Sequence, residues 1–404
     1  MRLFKKDNTL KGTFHLPASK SISNRLLMIR AINGGNYEIE NLSKANDTQL
    51  MAKHLSEGDS IIDVQDAGTV MRFLTAYYAA TPGRHLLTGS ERMMQRPIAQ
   101  LVETLNELGA QISYTQNLGY PPLLIKGRKL SGAEVSIDAS VSSQFISALL
   151  LIAPIIRDGL VLNLAKEIVS QPYIDMTTGL MEEAGITIMK SRERIKVLPG
   201  VYAPKEDIVV ESDWSAASYW LAFAVMADEV KMHLPGLNRN SIQGDSTLLY
   251  LMEPFGLDLD LQNDGLRVTK TKRTVLPKHL DFDFTGSPDL APTFICLCGV
   301  LGISATFKGL QTLSIKESDR TKVLAMELAK LGIKFTGVGG EWQLDASRKI
   351  FTPVKFSSHN DHRIAMALSI FATHREIEIV NPDVVKKSYP TFWHELKKAN
   401  FEIS

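Results

Sequence analysis

One local pattern recurs six times along this chain. A short strand runs into a small polar cluster and then an apolar helix at Pro17-Ala18-Ser19-Lys20-Ser21, Asp66-Ala67-Gly68-Thr69 and Ser140-Val141-Ser142-Ser143. It returns at Ser212-Asp213-Trp214-Ser215, Thr285-Gly286-Ser287-Pro288-Asp289 and Ser358-His359-Asn360-Asp361. Anchored at positions 19, 68, 142, 215, 287 and 361, the steps are about 49, 74, 73, 72 and 74 residues, the near-constant spacing of an internal duplication. A second helix follows in each repeat, expected over 47–55, 97–108, 172–184, 245–255, 318–331 and 390–399. Gly109, Gly185, Gly256 and Gly332 stand where four of these should stop, since glycine just past a helix end takes the left-handed turn that ends it. The spacing predicts an α/β chain of six βαβαβ-type repeats, three to a domain. The short first step leaves roughly two dozen residues missing between Asn41 and Asp66, and a strand pair or hairpin is the expected loss.

Helix starts expose unpaired N–H groups and a partial positive charge, which makes them seats for phosphate or carboxylate. Three such starts turned inward in each domain would make the cleft between two domains anion-seeking. The first start carries Lys20, Ser21 and Arg25. Arg92 and Arg96 precede Pro97, a favoured first helical residue. Ser142, Ser143 and Gln144, then Ser170 and Tyr173 around Pro172, bring hydroxyls and an amide that helix capping explains equally well. Asp289 sits where an acid suits the helix dipole and where a general base could stand. Lys316-Glu317-Ser318-Asp319-Arg320 crowds two cations and two acids at one helix start, as either a surface ion network or a proton-exchanging site. Asn360-Asp361-His362-Arg363 and Lys386-Lys387 close the set.

Composition narrows the classes. At 404 residues the chain exceeds a single core, and a net charge of +1 implies no general affinity for nucleic acid or membrane. No apolar run spans a bilayer, and no signal-peptide pattern opens the chain. Cys296 and Cys298 lie in an apolar run and read as reduced core residues of a cytoplasmic protein. His359 and His362 lack a third ligand, so no metal site is expected. The phosphate-binding loop, the dinucleotide fingerprint and the H-E-x-x-H zinc motif are all missing from the sequence.

Taken in order, these segments closely resemble the 5-enolpyruvylshikimate-3-phosphate synthase family. The resemblance runs through Ser19-Lys20-Ser21 with Asn24-Arg25, Gly68-Thr69 with Met71-Arg72, Arg92-Met93 with Arg96-Pro97-Ile98, and Val141-Ser142-Ser143-Gln144-Phe145. It continues through Ser170 with Pro172-Tyr173-Ile174-Asp175, Arg239-Asn240-Ser241 with Gln243-Gly244-Asp245, Pro288-Asp289, Lys316-Glu317 with Asp319-Arg320, Asn360-Asp361-His362-Arg363, and Lys387 before Pro390.

The resemblance implies a two-domain enolpyruvyl transferase-like fold, with domains at 1–18 plus 237–404 and at 19–236, helix N-termini facing the interdomain cleft. It implies transfer of the enolpyruvyl group of phosphoenolpyruvate to the 5-hydroxyl of shikimate 3-phosphate with release of phosphate, in aromatic amino-acid synthesis, by a cytoplasmic monomer that needs no cofactor or metal. By the same resemblance Lys20, Gly68, Arg96, Gln144, Arg320, Arg363 and Lys387 hold phosphoenolpyruvate. Lys20, Ser21, Arg25, Ser142, Ser143, Gln144, Ser170, Tyr173, Asp289, Thr312 and Lys316 surround shikimate 3-phosphate. Asp289, Glu317 and Lys20 are the expected acid–base groups.

Phe73, Thr312 and Ala18 depart from the commonest pattern, which bears on substrate affinity and on glyphosate, expected to compete with phosphoenolpyruvate because Gly68 is present. Two rivals stay open. One is the related transferase acting on UDP-N-acetylglucosamine, which places a cysteine on a mobile loop; the other is a catalytically silent anion-binding relative.

Overall fold

A computed structural model describes all residues except 36, 132–133, 204–207, 271–274 and 348–352. The chain divides into two compact lobes, one of residues 1–19 and 211–404, the other of 20–210. The chain passes between the lobes at 19/20 and again at 210/211. The second passage comes earlier than 236/237, because the strand Glu229–Pro235 pairs in parallel with Thr9–Thr13 and antiparallel with Gly265–Lys270, which anchors residues 211–236 in the first lobe.

Among the described residues, five of the six sheets share one plan of four strands: a parallel pair followed by an antiparallel hairpin. The repeat beginning at Ile61 is representative. Ile61–Asp63 pairs in parallel with Gly83–Thr88, which pairs antiparallel with Leu123–Gly127, and that with Gln111–Tyr114. A complete repeat is therefore strand, helix, strand, helix and two strands, one strand more than the βαβαβ expected. Among the described residues, the sheet of the short repeat holds the parallel pair Ile39–Glu40 and Ile208–Val209 alone. Its hairpin is missing, which accounts for the short first step in the spacing. At the other end of the chain, Arg2–Lys5 enters the last sheet between Ile377–Val380 and Phe401–Ile403.

The polar clusters do open helices: Lys20–Ile32, Gly68–Ala80, Ser143–Ile152, Trp214–Met226, Ala291–Leu301 and His362–Leu368. Most are apolar all round, as helices enclosed by other elements must be; twelve of the thirteen residues of Trp214–Met226 are buried. In the second lobe the first three of these helices pack on one another, and in the first lobe Ala291–Leu301 packs on both Trp214–Met226 and His362–Leu368. The helix expected over 245–255 is broken into the short turns Gly244–Thr247, Leu248–Leu251 and Glu253–Phe255; the last contains Pro254, whose missing N–H cannot continue the preceding helix. Gly109, Gly185, Gly256 and Gly332 all adopt positive φ. No helix among the described residues is long and apolar enough to cross a membrane.

Candidate active site

In the first lobe the chemistry gathers around Arg320, whose side chain is almost wholly buried. Its Nε donates to Asp361 Oδ2 at 2.8 Å, Nη1 to Asp289 Oδ1 at 2.9 Å and Nη2 to Glu317 Oε2 at 2.8 Å. Arg363 Nη2 donates to the other oxygen of Asp289 at 2.8 Å and to Ser215 Oγ at 3.3 Å. Lys316 Nζ lies 3.5 Å from Asp289 Oδ1, and Lys387 Nζ 3.3 Å from Glu317 Oε1. These contacts tie together the starts of the helices that begin at Trp214, Ala291, Arg320 and His362.

The balance of charges sets the protonation states. Burial pushes the Asp289 carboxyl up, but Arg363, Lys316 and Arg320 together outweigh it and hold it well below the usual carboxylate range. Burial lowers the Lys316 ammonium, which Asp289 only partly offsets. Asp245 lies behind this layer and hydrogen-bonds to Ser215 Oγ. Burial, reinforced by Asp289, pushes its carboxyl up to about 7.

The second lobe carries a separate set. Lys20 Nζ pairs with Asp47 Oδ2 at 3.0 Å. Gly68 begins its helix with the guanidinium of Arg96 pressed against it. Arg72 donates to the carbonyls of Gly68 and Pro97, each at 3.2 Å, and so fixes both sides of that contact. Arg96 is only 5% exposed, and its Nε and Nη1 are buried without a hydrogen-bond partner. Ser142 caps the Ser143–Ile152 helix by accepting from Gln144 N, while Gln144 Nε2 reaches Thr69 Oγ1 at 3.3 Å.

Three comparisons bear on this arrangement. The family model described as EPSP synthase (3-phosphoshikimate 1-carboxyvinyltransferase) matches residues 4–58 and 53–396. The 3-phosphoshikimate 1-carboxyvinyltransferase of Bacteroides fragilis strain YCH46 is 46% identical over 399 residues, covering 98% of this chain and 96% of that one. The chain belongs to the EPSP synthase family. The Pseudoalteromonas atlantica enzyme of the same name is 32% identical, with 97% of each chain covered. Among solved structures, EPSP synthase from Acinetobacter baumannii superposes with a TM-score of 0.80 at 22% identity, covering 100% of this chain and 99% of that one. The enolpyruvyl transferase NikO from Streptomyces tendae gives 0.75 at 14%, covering 100% and 98%. These two likenesses establish the two-domain enolpyruvyl transferase fold.

Within each lobe of this EPSP synthase relative, most expected residues fall together. Asp289, Lys316, Glu317, Arg320, Arg363 and Lys387 form one connected ion network. Thr312 precedes it on a short turn, its hydroxyl buried without a hydrogen-bond partner. In the other lobe Gly68 and Arg96 touch, and Gln144 joins them through Thr69. Ser21 and Ser143 lie in the first turns of their helices.

Arg25 is more architectural than expected: it is buried and donates to Thr177 Oγ1, Ser147 Oγ, and the carbonyls of Ser21 and Tyr173. Ser170 takes a left-handed conformation (φ 57°) at the start of Gln171–Glu183 and makes no capping bond there, so capping does not account for it. Cys296 and Cys298 are buried in Ala291–Leu301, unlike a loop cysteine poised for proton transfer.

Asp47 received no role from the sequence, and Arg72 and Asp361 entered only as parts of motifs. Each is a buried charge whose partner is distant along the chain or unremarkable in sequence, and burial is the signal that marks them.

Proposed function

We propose that the two cationic sets bind the two anionic substrates of the enolpyruvyl transfer that this family performs. The reaction joins the enolpyruvyl group of phosphoenolpyruvate to the 5-hydroxyl of shikimate 3-phosphate and releases phosphate. Arg96 carries the reading. A buried guanidinium with Nε and Nη1 unpaired is costly unless an anion completes it, and its planar fork suits phosphate or carboxylate.

Phosphoenolpyruvate is assigned to Lys20, Gly68, Arg96, Gln144, Arg320, Arg363 and Lys387. Shikimate 3-phosphate is assigned to Lys20, Ser21, Arg25, Ser142, Ser143, Gln144, Ser170, Tyr173, Asp289, Thr312 and Lys316. Asp289 takes the proton of the 5-hydroxyl as that oxygen attacks C2 of the enol. Glu317 takes up a proton once the arriving anion draws Arg320 and Lys387 away from it, and supplies that proton to the neighbouring methylene. The tetrahedral adduct then gives a methyl proton back and expels phosphate, with Lys20 in a supporting acid role.

Asp289 is a weak base while Arg320, Arg363 and Lys316 grip it. An arriving carboxylate or phosphate draws on the same cations, loosens that grip and raises the basicity of Asp289 when the hydroxyl is in place. A monomeric, cytoplasmic enzyme completes the proposal; the free, buried thiols of Cys296 and Cys298 suit a reducing compartment. Phosphate release with both substrates together and none with either alone is the expected result. Release with phosphoenolpyruvate alone, or with UDP-N-acetylglucosamine as acceptor, would overturn it.

A further inference from the structure

The Arg320–Ala329 helix holds the segment 357–361 at two points. Arg320 opens the helix and binds both oxygens of Asp361, at 2.8 and 3.3 Å. Glu327 stands seven residues on, two helical turns along the same face. Its carboxylate accepts from Ser357 N at 3.1 Å, meets His359 Nε2 at 2.7 Å and is joined by Lys330 Nζ at 2.6 Å. The Glu327 side chain is only 2% exposed. A carboxylate buried this deeply is stable only when its oxygens are paired, and two of its partners belong to the segment beside Asp361.

Between the two grips His359 and Asn360 have φ of 49° and 57°. Consecutive side-chain-bearing residues in the left-handed region are disfavoured, and they persist where surrounding contacts over-determine them. Asp361 follows directly. Its Oδ1 accepts from Arg363 N at 3.0 Å and its Oδ2 from Ser318 Oγ at 3.0 Å. The setting of Asp361 thus governs both Arg320 and the start of the helix that carries Arg363.

We infer that Glu327 is a positioning residue for the phosphoenolpyruvate-side cations. Through Ser357 and His359 it sets the left-handed turn that places Asp361, and through Asp361 it orients Arg320 and Arg363. This rests on the assignment of those two arginines to phosphoenolpyruvate.

The test compares Glu327→Gln, His359→Gln, the double variant and Arg320→Lys by steady-state kinetics and thermal melting of the full chain. Glu327→Gln keeps the size of the side chain but presents an amide N–H where an acceptor is needed. Its expected effect is a KM for phosphoenolpyruvate raised about tenfold, with that for shikimate 3-phosphate within about twofold. His359→Gln should move the same constant in the same direction, and the double variant should be no worse than the worse single. The His359 side chain is 26% exposed, so this variant keeps the test available if Glu327 variants fold poorly. Equal loss on both substrates, additive effects, or a KM unchanged despite normal folding would overturn the inference. Arg320→Lys tests the assignment itself: if it leaves the phosphoenolpyruvate KM unchanged, that assignment fails first; if it raises the KM while Glu327→Gln does not, the positioning role alone fails.

Discussion

A side-chain carbon placed on Gly68 would lie 2.6 Å from Nη1 and 2.7 Å from Nη2 of Arg96. That is closer than van der Waals contact allows, so even a methyl group at position 68 must push the guanidinium aside. Arg72 braces both segments from behind, which leaves the Arg96 side chain as the part that yields.

Gly68→Ala is therefore expected to raise the KM for phosphoenolpyruvate by about tenfold, a tenfold change corresponding to about 1.4 kcal/mol. The KM for shikimate 3-phosphate should change little. Kinetics with each substrate varied in turn checks the split; an unchanged phosphoenolpyruvate KM would detach Arg96 from that substrate.

Asp289→Asn removes the proposed base but keeps its shape. Turnover should fall at least about a hundredfold, the usual contribution of a positioned acid–base group. The KM for phosphoenolpyruvate should not rise, because Arg320 and Arg363 lose a competing carboxylate. Near-normal turnover in a folded variant would remove Asp289 from the chemistry.

Asp245 yields a pH prediction. Its folded-state carboxyl is raised to about 7 by burial, above an unfolded value near 3.9. The folded protein then binds the extra proton, so this group's stabilising contribution is full below about pH 4 and is lost as pH rises towards 7. Asp245→Asn stays uncharged throughout. Its melting temperature relative to the parent should climb between pH 5 and pH 8; a constant offset across that range would contradict the assignment.

Lys20 depends on Asp47, since both side chains are largely buried in their ion pair. Removing one partner from such a pair typically costs about 3–5 kcal/mol. Asp47→Ala should therefore lower stability on that scale in urea unfolding. It should also reduce kcat/KM for both substrates, because Lys20 is assigned to both. Loss of stability with full activity would separate Lys20 from catalysis.

The repeat was legible because its signals are short-range. A hydroxyl or acid at a helix start and a glycine at a helix end act within one turn, so Ser142, Asp361, Gly185 and Gly332 announce themselves from neighbouring residues. The short first step likewise foretold the two-stranded sheet of Ile39–Glu40 and Ile208–Val209. Less legible was which strand completes which sheet. Thr9–Thr13 directly precedes the Lys20 helix in sequence, yet it pairs with Glu229–Pro235, a choice made by backbone hydrogen bonds between segments far apart along the chain.

From the chain alone came the six-fold repeat, the deletion and the roster of charged residues at helix starts, all properties of residues a few places apart. Only the folded chain decided how those charges are partnered: Lys20 with Asp47, Arg320 with Asp289 and Asp361, and His359 with Glu327. The reason is physical. Burial makes an unpaired charge costly, and which charges are buried together follows from how helices pack, not from their order in the sequence.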